Sequence, residues 1–169
     1  MTADPVLTSA QRALLASARR AVLATIAPDG RPRLVPICFT IDGERPVLYS
    51  ALDEKPKRVD EPHELARVRD LMRDPRVSVL VDRWDEDWTR LAWLRCHGTA
   101  SVLEPAGGAR PASGDAAEHR AAMAALRAKY PQYATHDLAG RPVVRIVIER
   151  VSSWAAEPGP APLSPLGGC

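Results

Sequence analysis

The chain has 169 residues, 46% of them hydrophobic, which suits one domain of ordinary size with a sizeable core. Its 23 basic and 21 acidic side chains leave a net charge of +2, so no general affinity for nucleic acid is implied and any basic character that matters must be local. There is no apolar run long enough to span a membrane, no basic and apolar leader among Met1 to Pro5, and three scattered cysteines (Cys38, Cys96, Cys169) that fit neither a disulfide framework nor a metal site, so a cytoplasmic protein is expected.

Thr8-x-x-Gln11 has the form of a capping box, and Leu14, Leu15 and Ala18 then share one face of a short helix. Three β-rich runs follow. The first, Arg20 to Ala27, meets the turn Pro28-Asp29-Gly30-Arg31-Pro32. The second, Arg33 to Ile41, meets Asp42-Gly43-Glu44-Arg45-Pro46, and the third is Val47 to Leu52. Asp-Gly between such runs signals a hairpin, because glycine accepts the positive φ of a tight turn. Two such turns in succession predict a three-strand antiparallel meander.

The third run empties into Asp53-Glu54-Lys55-Pro56-Lys57-Arg58, which places three cations within four residues at the mouth of a strand. Lys and Arg there suit a phosphate. The plainer reading is a solvated loop in which Lys55, Lys57 and Arg58 pair with Asp53, Glu54 and Asp60.

Beyond this loop, Pro62 suits a first helical turn, and Leu65, Val68, Leu71 and Met72 recur at helical spacing until Asp74-Pro75 ends the helix. Arg76 to Asp82 is nearly continuous in apolar character and reads as a central fourth strand, with a fifth from Arg90 to Leu103. Residues 106–114 form a Gly, Ala and Pro loop. Asp115 can then cap a helix through Lys129 with Glu118 three residues on and Met123 and Leu126 inward. Val143 to Val151 is a sixth strand, with Val144, Ile146 and Ile148 on one face. Glu157 to Cys169 has no periodicity and reads as a disordered Pro/Gly-rich tail, which leaves 1–156 as a single domain.

Six antiparallel strands with three short flanking helices predict a mainly β fold, a small barrel or highly curved sheet that hides its edges. The element order is not that of a parallel α/β protein, and no glycine-rich phosphate loop of the Rossmann or P-loop type is present.

Trp84, Trp88 and Trp93 with Arg83, Arg90 and Arg95 form a second constellation around the acidic turn Asp85-Glu86-Asp87. Tryptophan offers a flat surface, and arginine can stack on it or clasp an anion. Aromatics packing a barrel rim, with the arginines paired to the acidic turn, is the plainer reading. His97 before Gly98 reads as a core or interface histidine more readily than as a haem ligand, and His63, His119 and His136 follow no pattern.

The strand order, the Asp-Gly turns, the Ser50 to Arg58 stretch and Leu71-Met72-Arg73-Asp74-Pro75-Arg76-Val77-Ser78-Val79 resemble the split β-barrel flavin and deazaflavin oxidoreductases, the pyridoxamine 5′-phosphate oxidase superfamily. Val81 to Trp93, with its tryptophans, is similar to an actinobacterial branch dependent on the deazaflavin coenzyme F-420. The resemblance covers roughly residues 10–155 and implies a homodimer with its cofactor in a groove between subunits. It implies that Pro36 and Ile37 face the ring, Tyr49 and Ser50 its edge, and Lys55, Lys57 and Arg58 the phosphate. Trp88 and Arg90 would reach the partner's cofactor tail or substrate cleft.

The activity implied is hydride transfer to a small, hydrophobic organic substrate. An FMN-dependent oxidase or reductase and a non-catalytic flavin, deazaflavin or haem binder are the alternatives. No proton donor is identified, and Tyr49, Tyr130 and Tyr133 qualify only by residue type.

Overall fold

The expected capping box forms. Thr8 accepts from the Gln11 N–H at 3.2 Å, and the Gln11 carboxamide accepts from the Thr8 N–H at 2.9 Å, which opens helix α1 (Ser9–Ser17). Leu15 is fully buried, with Leu14 and Ala18 at the margin of the core. The computed structural model describes residues 7–52, 62–107, 116–138 and 140–156.

Strands β1 (Ala21–Ile26) and β2 (Pro32–Ile37) make the first hairpin, and Gly30 at its turn has φ of 81° as the turn chemistry requires. The second Asp-Gly turn works differently. Gly43 keeps an ordinary φ, and the Asp42 carboxylate holds the turn by accepting from the Glu44 and Arg45 N–H groups.

The second predicted run does not stay straight. It breaks at Cys38 and Phe39 into β2 and a two-residue β3 (Thr40–Ile41), which pairs with β4 (Val47–Ala51), so the strands number seven and not six. The sheet order is β2-β1-β5-β6-β7-β4-β3, with β5 (Arg76–Arg83), β6 (Ala92–Leu103) and β7 (Val143–Ala155) in its interior. The expected meander is therefore two hairpins at opposite edges of one sheet.

The cause lies in the corner. Phe39 is completely buried, and the Tyr130 hydroxyl accepts from its N–H at 3.0 Å and lies 2.9 Å from its carbonyl oxygen, replacing ladder bonds that the corner lacks. Ile37 and Thr40 can be no more than about 10 Å apart. The sheet must curl until its two edges nearly meet, and that curl is the split barrel.

Helix α2 (Ala66–Arg73) starts later than its pattern predicted, after a 3-10 turn over Pro62–Glu64. Val68 and Leu71 are buried as expected, whereas Met72 is 72% exposed, because it stands past the edge of the buried stripe. The strand expected from Arg90 begins at Ala92, since Trp88–Arg90 form a 3-10 turn capped by Asp87. Strand β7 outruns its predicted end at Val151 and pairs with β6 down to Ala92↔Ala155, with an irregularity at His97/Gly98. At Gly98 a Cβ would lie 2.0 Å from the Val147 carbonyl oxygen, so only glycine allows this approach.

Two cores result. One fills the curl, where α1 and α2 meet the inward residues of the sheet, including Leu23, Val79, Leu94 and Ile146. Cys96 lies there, and burial pushes its thiol up to about 12. The other lies between β4, β7 and helix α3 (Ala116–Lys129), around Leu126, Tyr133 and Leu138. Met123 and Leu126 point inward as predicted. The capping residue Asp115, most of the 106–114 loop and the 157–169 tail lie outside the described residues. Among the described residues no helix is long and apolar enough to cross a membrane.

Candidate functional site

Strand alternation turns Leu23, Val79 and Leu94 into the curl and turns their neighbours outward. The register aligns those neighbours in rows across four strands. One row is Leu34–Ala24–Ser78–His97, and the next is Pro36–Val22–Leu80–Arg95. Leu34 is 65% and Leu80 40% exposed, so this face carries large apolar side chains that none of the described residues covers. Cations flank the apolar patch. His97 sits among them with Nδ1 at 2.8 Å from the Ser78 hydroxyl, and burial, Arg150 and Arg95 together push its pKa down. The imidazole is neutral near pH 7.

Buried anchors set this face in place. Asp70 of α2, 2% exposed, accepts from the Thr25 hydroxyl at 2.9 Å and from Arg33 Nε at 2.7 Å. Arg73 donates to the Ile26 carbonyl, which closes the helix against the hairpin. Nothing in the spacing of Thr25, Arg33 and Asp70 signals that they meet.

The residues expected around a cofactor separate into groups. Pro36 lies on the open face, while Ile37 beside it points into the core. Tyr49 and Ser50 are both buried. Tyr49 points to α3, where its hydroxyl donates to Glu118 Oε1 at 2.6 Å and accepts from Arg45 at 2.7 Å. Arg145 Nε also meets Glu118, at 2.9 Å. Burial and then the bond to Glu118 push the Tyr49 pKa above its ordinary value. Glu118 is held below its own, because Tyr49 and Arg145 outweigh its burial. The sequence read Glu118 as a capping partner, and only the fold connects it to residues 45, 49 and 145.

Lys55, Lys57 and Arg58 lie outside the described residues. Their flanks are fixed. Leu52 donates to the Pro142 carbonyl at 3.1 Å, and after the chain resumes, His63 Nε2 lies 2.8 Å from Glu104 Oε1. Trp88 and Arg90 project from the other candidate region, the β5–β6 connection. Trp84 and Trp88 are 71% and 69% exposed. Arg90 pairs with Asp85 at 3.2 Å, and its carbonyl accepts from Arg83 Nε at 2.6 Å, which ties the turn to itself.

The strand ends that border these two regions lie far apart in one chain. Strand β4 ends at Ala51 beside Val143, and β6 begins at Ala92 beside Ala155. Val143 and Ala155 are the two ends of β7, separated by about 40 Å of strand. Among the described residues there is no group of three or more His, Cys, Asp and Glu placed to hold a metal ion.

Residues 7–155 match the family model described as pyridoxamine 5′-phosphate oxidase. Among solved structures, a conserved hypothetical protein from Mycobacterium tuberculosis is 26% identical over 98% of this chain and 96% of its own, with a TM-score of 0.66. An F420 reductase is 21% identical over 86% of this chain and 98% of its own, with a TM-score of 0.59. An FAD-binding protein from Mesorhizobium loti is 23% identical over 87% and 94%, with a TM-score of 0.57.

Proposed function

The chain belongs to the pyridoxamine 5′-phosphate oxidase family, and from that premise we propose that it is an oxidoreductase using the deazaflavin coenzyme F-420 for hydride transfer to a small organic substrate. The observation that carries the reading is the open β2-β1-β5-β6 face, apolar at Leu34, Pro36 and Leu80 and bordered by the cations Arg95 of β6 and Arg150 of the adjoining β7. This donor set fits a planar anionic cofactor, which wants a flat apolar floor and fixed positive charge. The F420 reductase among the structural relatives and the tryptophan-bearing β5–β6 connection favour the deazaflavin. The FAD-binding relative supports flavin, as FMN, as the second reading.

Lys55, Lys57 and Arg58 would take the phosphate, and the outward residues of β2 would support the ring. The cofactor, when bound, supplies the hydride. The chain's part is to orient that ring and to keep water from it. The Tyr49 hydroxyl is committed to Glu118 and the Tyr130 hydroxyl to the Phe39 backbone, so neither serves as a proton donor. The end of β4 and the start of β6 sit at opposite ends of β7, which favours a site assembled from two copies, and the proposed enzyme is a homodimer.

The test titrates the purified protein with coenzyme F-420 and with FMN in one buffer, following tryptophan fluorescence, with light scattering run in parallel. Tighter F-420 binding by a species of twice the chain mass supports the proposal. Tighter FMN binding transfers it to the second reading, and a monomer that binds neither would falsify both.

A further inference from the structure

A cleft of about 480 Å³ lies where α1 crosses the ends of β5, β6 and β7, apart from the open sheet face. It falls in the range of about 300–1,000 Å³ typical of small-molecule sites. Ala10, Ala13, Leu14 and Ser17, at helical spacing on one face of α1, form its long wall. Ala92, Leu94, Ser153 and Ala155 form the facing wall. Six of these eight side chains are no larger than serine and the wall runs about 10 Å along the helix, so the space is long and narrow.

Three of the polar side chains lining the cleft are held by hydrogen bonds within the chain. Gln11 donates to the Ser153 hydroxyl at 3.0 Å and accepts from the Thr8 N–H, and Ser17 donates to the Leu14 carbonyl. Among the described residues Arg83 is the one charged residue lining it. Its Nε is fixed on the Arg90 carbonyl at 2.6 Å, while its two Nη groups make no hydrogen bond or ion pair among the described residues. An apolar slot with one oriented, unpaired guanidinium fork asks for a single carboxylate on an elongated hydrocarbon body.

We propose that this cleft binds aliphatic monocarboxylates, with the hydrocarbon chain along α1 and the carboxylate on Arg83. This is a ligand class and a site beyond the cofactor reading, and it stands independently of that reading. Trp93 and Trp154, cross-strand partners at the rim, supply the signal that reports occupancy.

The experiment uses the full chain without cofactor, so a failure here does not bear on F-420 or FMN. Decanoate, decanol and decylamine are each titrated below their aggregation limits, with tryptophan fluorescence and calorimetry as readouts. Decanoate should bind at least about tenfold more tightly than decanol, as one charge-assisted contact allows, and decylamine most weakly. Arg83→Met should remove the preference for carboxylate while leaving decanol affinity within about twofold. Ala13→Phe, an exposed helix position where folding has little stake, should weaken decanoate and decanol together by filling the slot. Equal binding of the three probes, no binding to the parent, or an Ala13→Phe protein that binds decanoate as the parent does would each overturn the proposal.

Discussion

The two ends of the sheet are finished in opposite ways. At the β4–β7 end, α3 seals the surface. All five residues of β4 are buried, and Arg45, Tyr49, Glu118 and Arg145 share one network. At the β2–β1–β5–β6 end no comparable cover exists among the described residues, and Leu34, Leu80 and the tryptophans Trp84 and Trp88 face solvent. The same alternation of inward and outward residues builds both ends. The difference lies in what covers the outward side: a helix of the chain itself in one case and, under the proposed function, a second copy with its cofactor in the other.

The contrast can be broken first at the seam that joins the two ends. Gly98→Ala puts a Cβ against the Val147 carbonyl between β6 and β7, where backbone must move. We expect a loss above about 4 kcal/mol or no folded protein, measured by urea unfolding, since overpacking against backbone exceeds the usual range. An alanine variant as stable as the parent would mean the seam is looser than its register implies.

Within the sealed end, Leu126→Ala removes a completely buried side chain beneath α3 and should cost about 2–5 kcal/mol. Tyr49→Phe keeps the packing but deletes one donor to Glu118, whose two arginine partners remain. Its expected cost is about 1 kcal/mol. A loss as large as that of Leu126→Ala would show that the network, and not burial, holds the helix.

Acid should loosen the same end through Asp42. Burial opposes ionisation there, but the Arg45 guanidinium and the Arg45 and Glu44 N–H groups hold its carboxyl at about 2, against an ordinary 3.8. A pKa depressed by folding gives stability that is present above the unfolded value and lost as pH falls through the folded one. The parent should therefore exceed Asp42→Asn in stability near neutrality and converge on it between 3.8 and about 2, as urea midpoints at a series of pH values would show. A gap that persists at the acid limit would assign the Asp42 effect to turn geometry alone.

The smallest effect on folding belongs to the open end. Leu34→Glu should change monomer stability by less than about 0.5 kcal/mol, because the side chain is already solvated. Sedimentation of the same variant should shift toward the chain mass. If stability collapses instead, the open face is part of a core.

Much of this was legible in the sequence. The Thr8 capping box, the Asp29-Gly30 turn, the inward face of α3 and the Val144, Ile146 and Ile148 stripe depend on groups a few residues apart, and each forms as read. The partition of the candidate site was less visible. The resemblance implies that Pro36 and Tyr49 neighbour one ligand, yet one faces outward and the other faces α3. No local pattern reports which side of a strand a helix 70 residues later will cover.

The sequence by itself determined where α1 begins, where the hairpins turn and which strands carry a buried stripe, because propensity, capping and alternation act over a few residues. Only the tertiary structure decided that the run from Arg33 to Ile41 breaks at Cys38 and Phe39, and that its halves sit on opposite edges of the sheet. That break depends on a buried Phe39 and on the Tyr130 hydroxyl, contributed from 91 residues away, taking over the backbone bonds of the corner. A contact of that range has no signature in the run it bends.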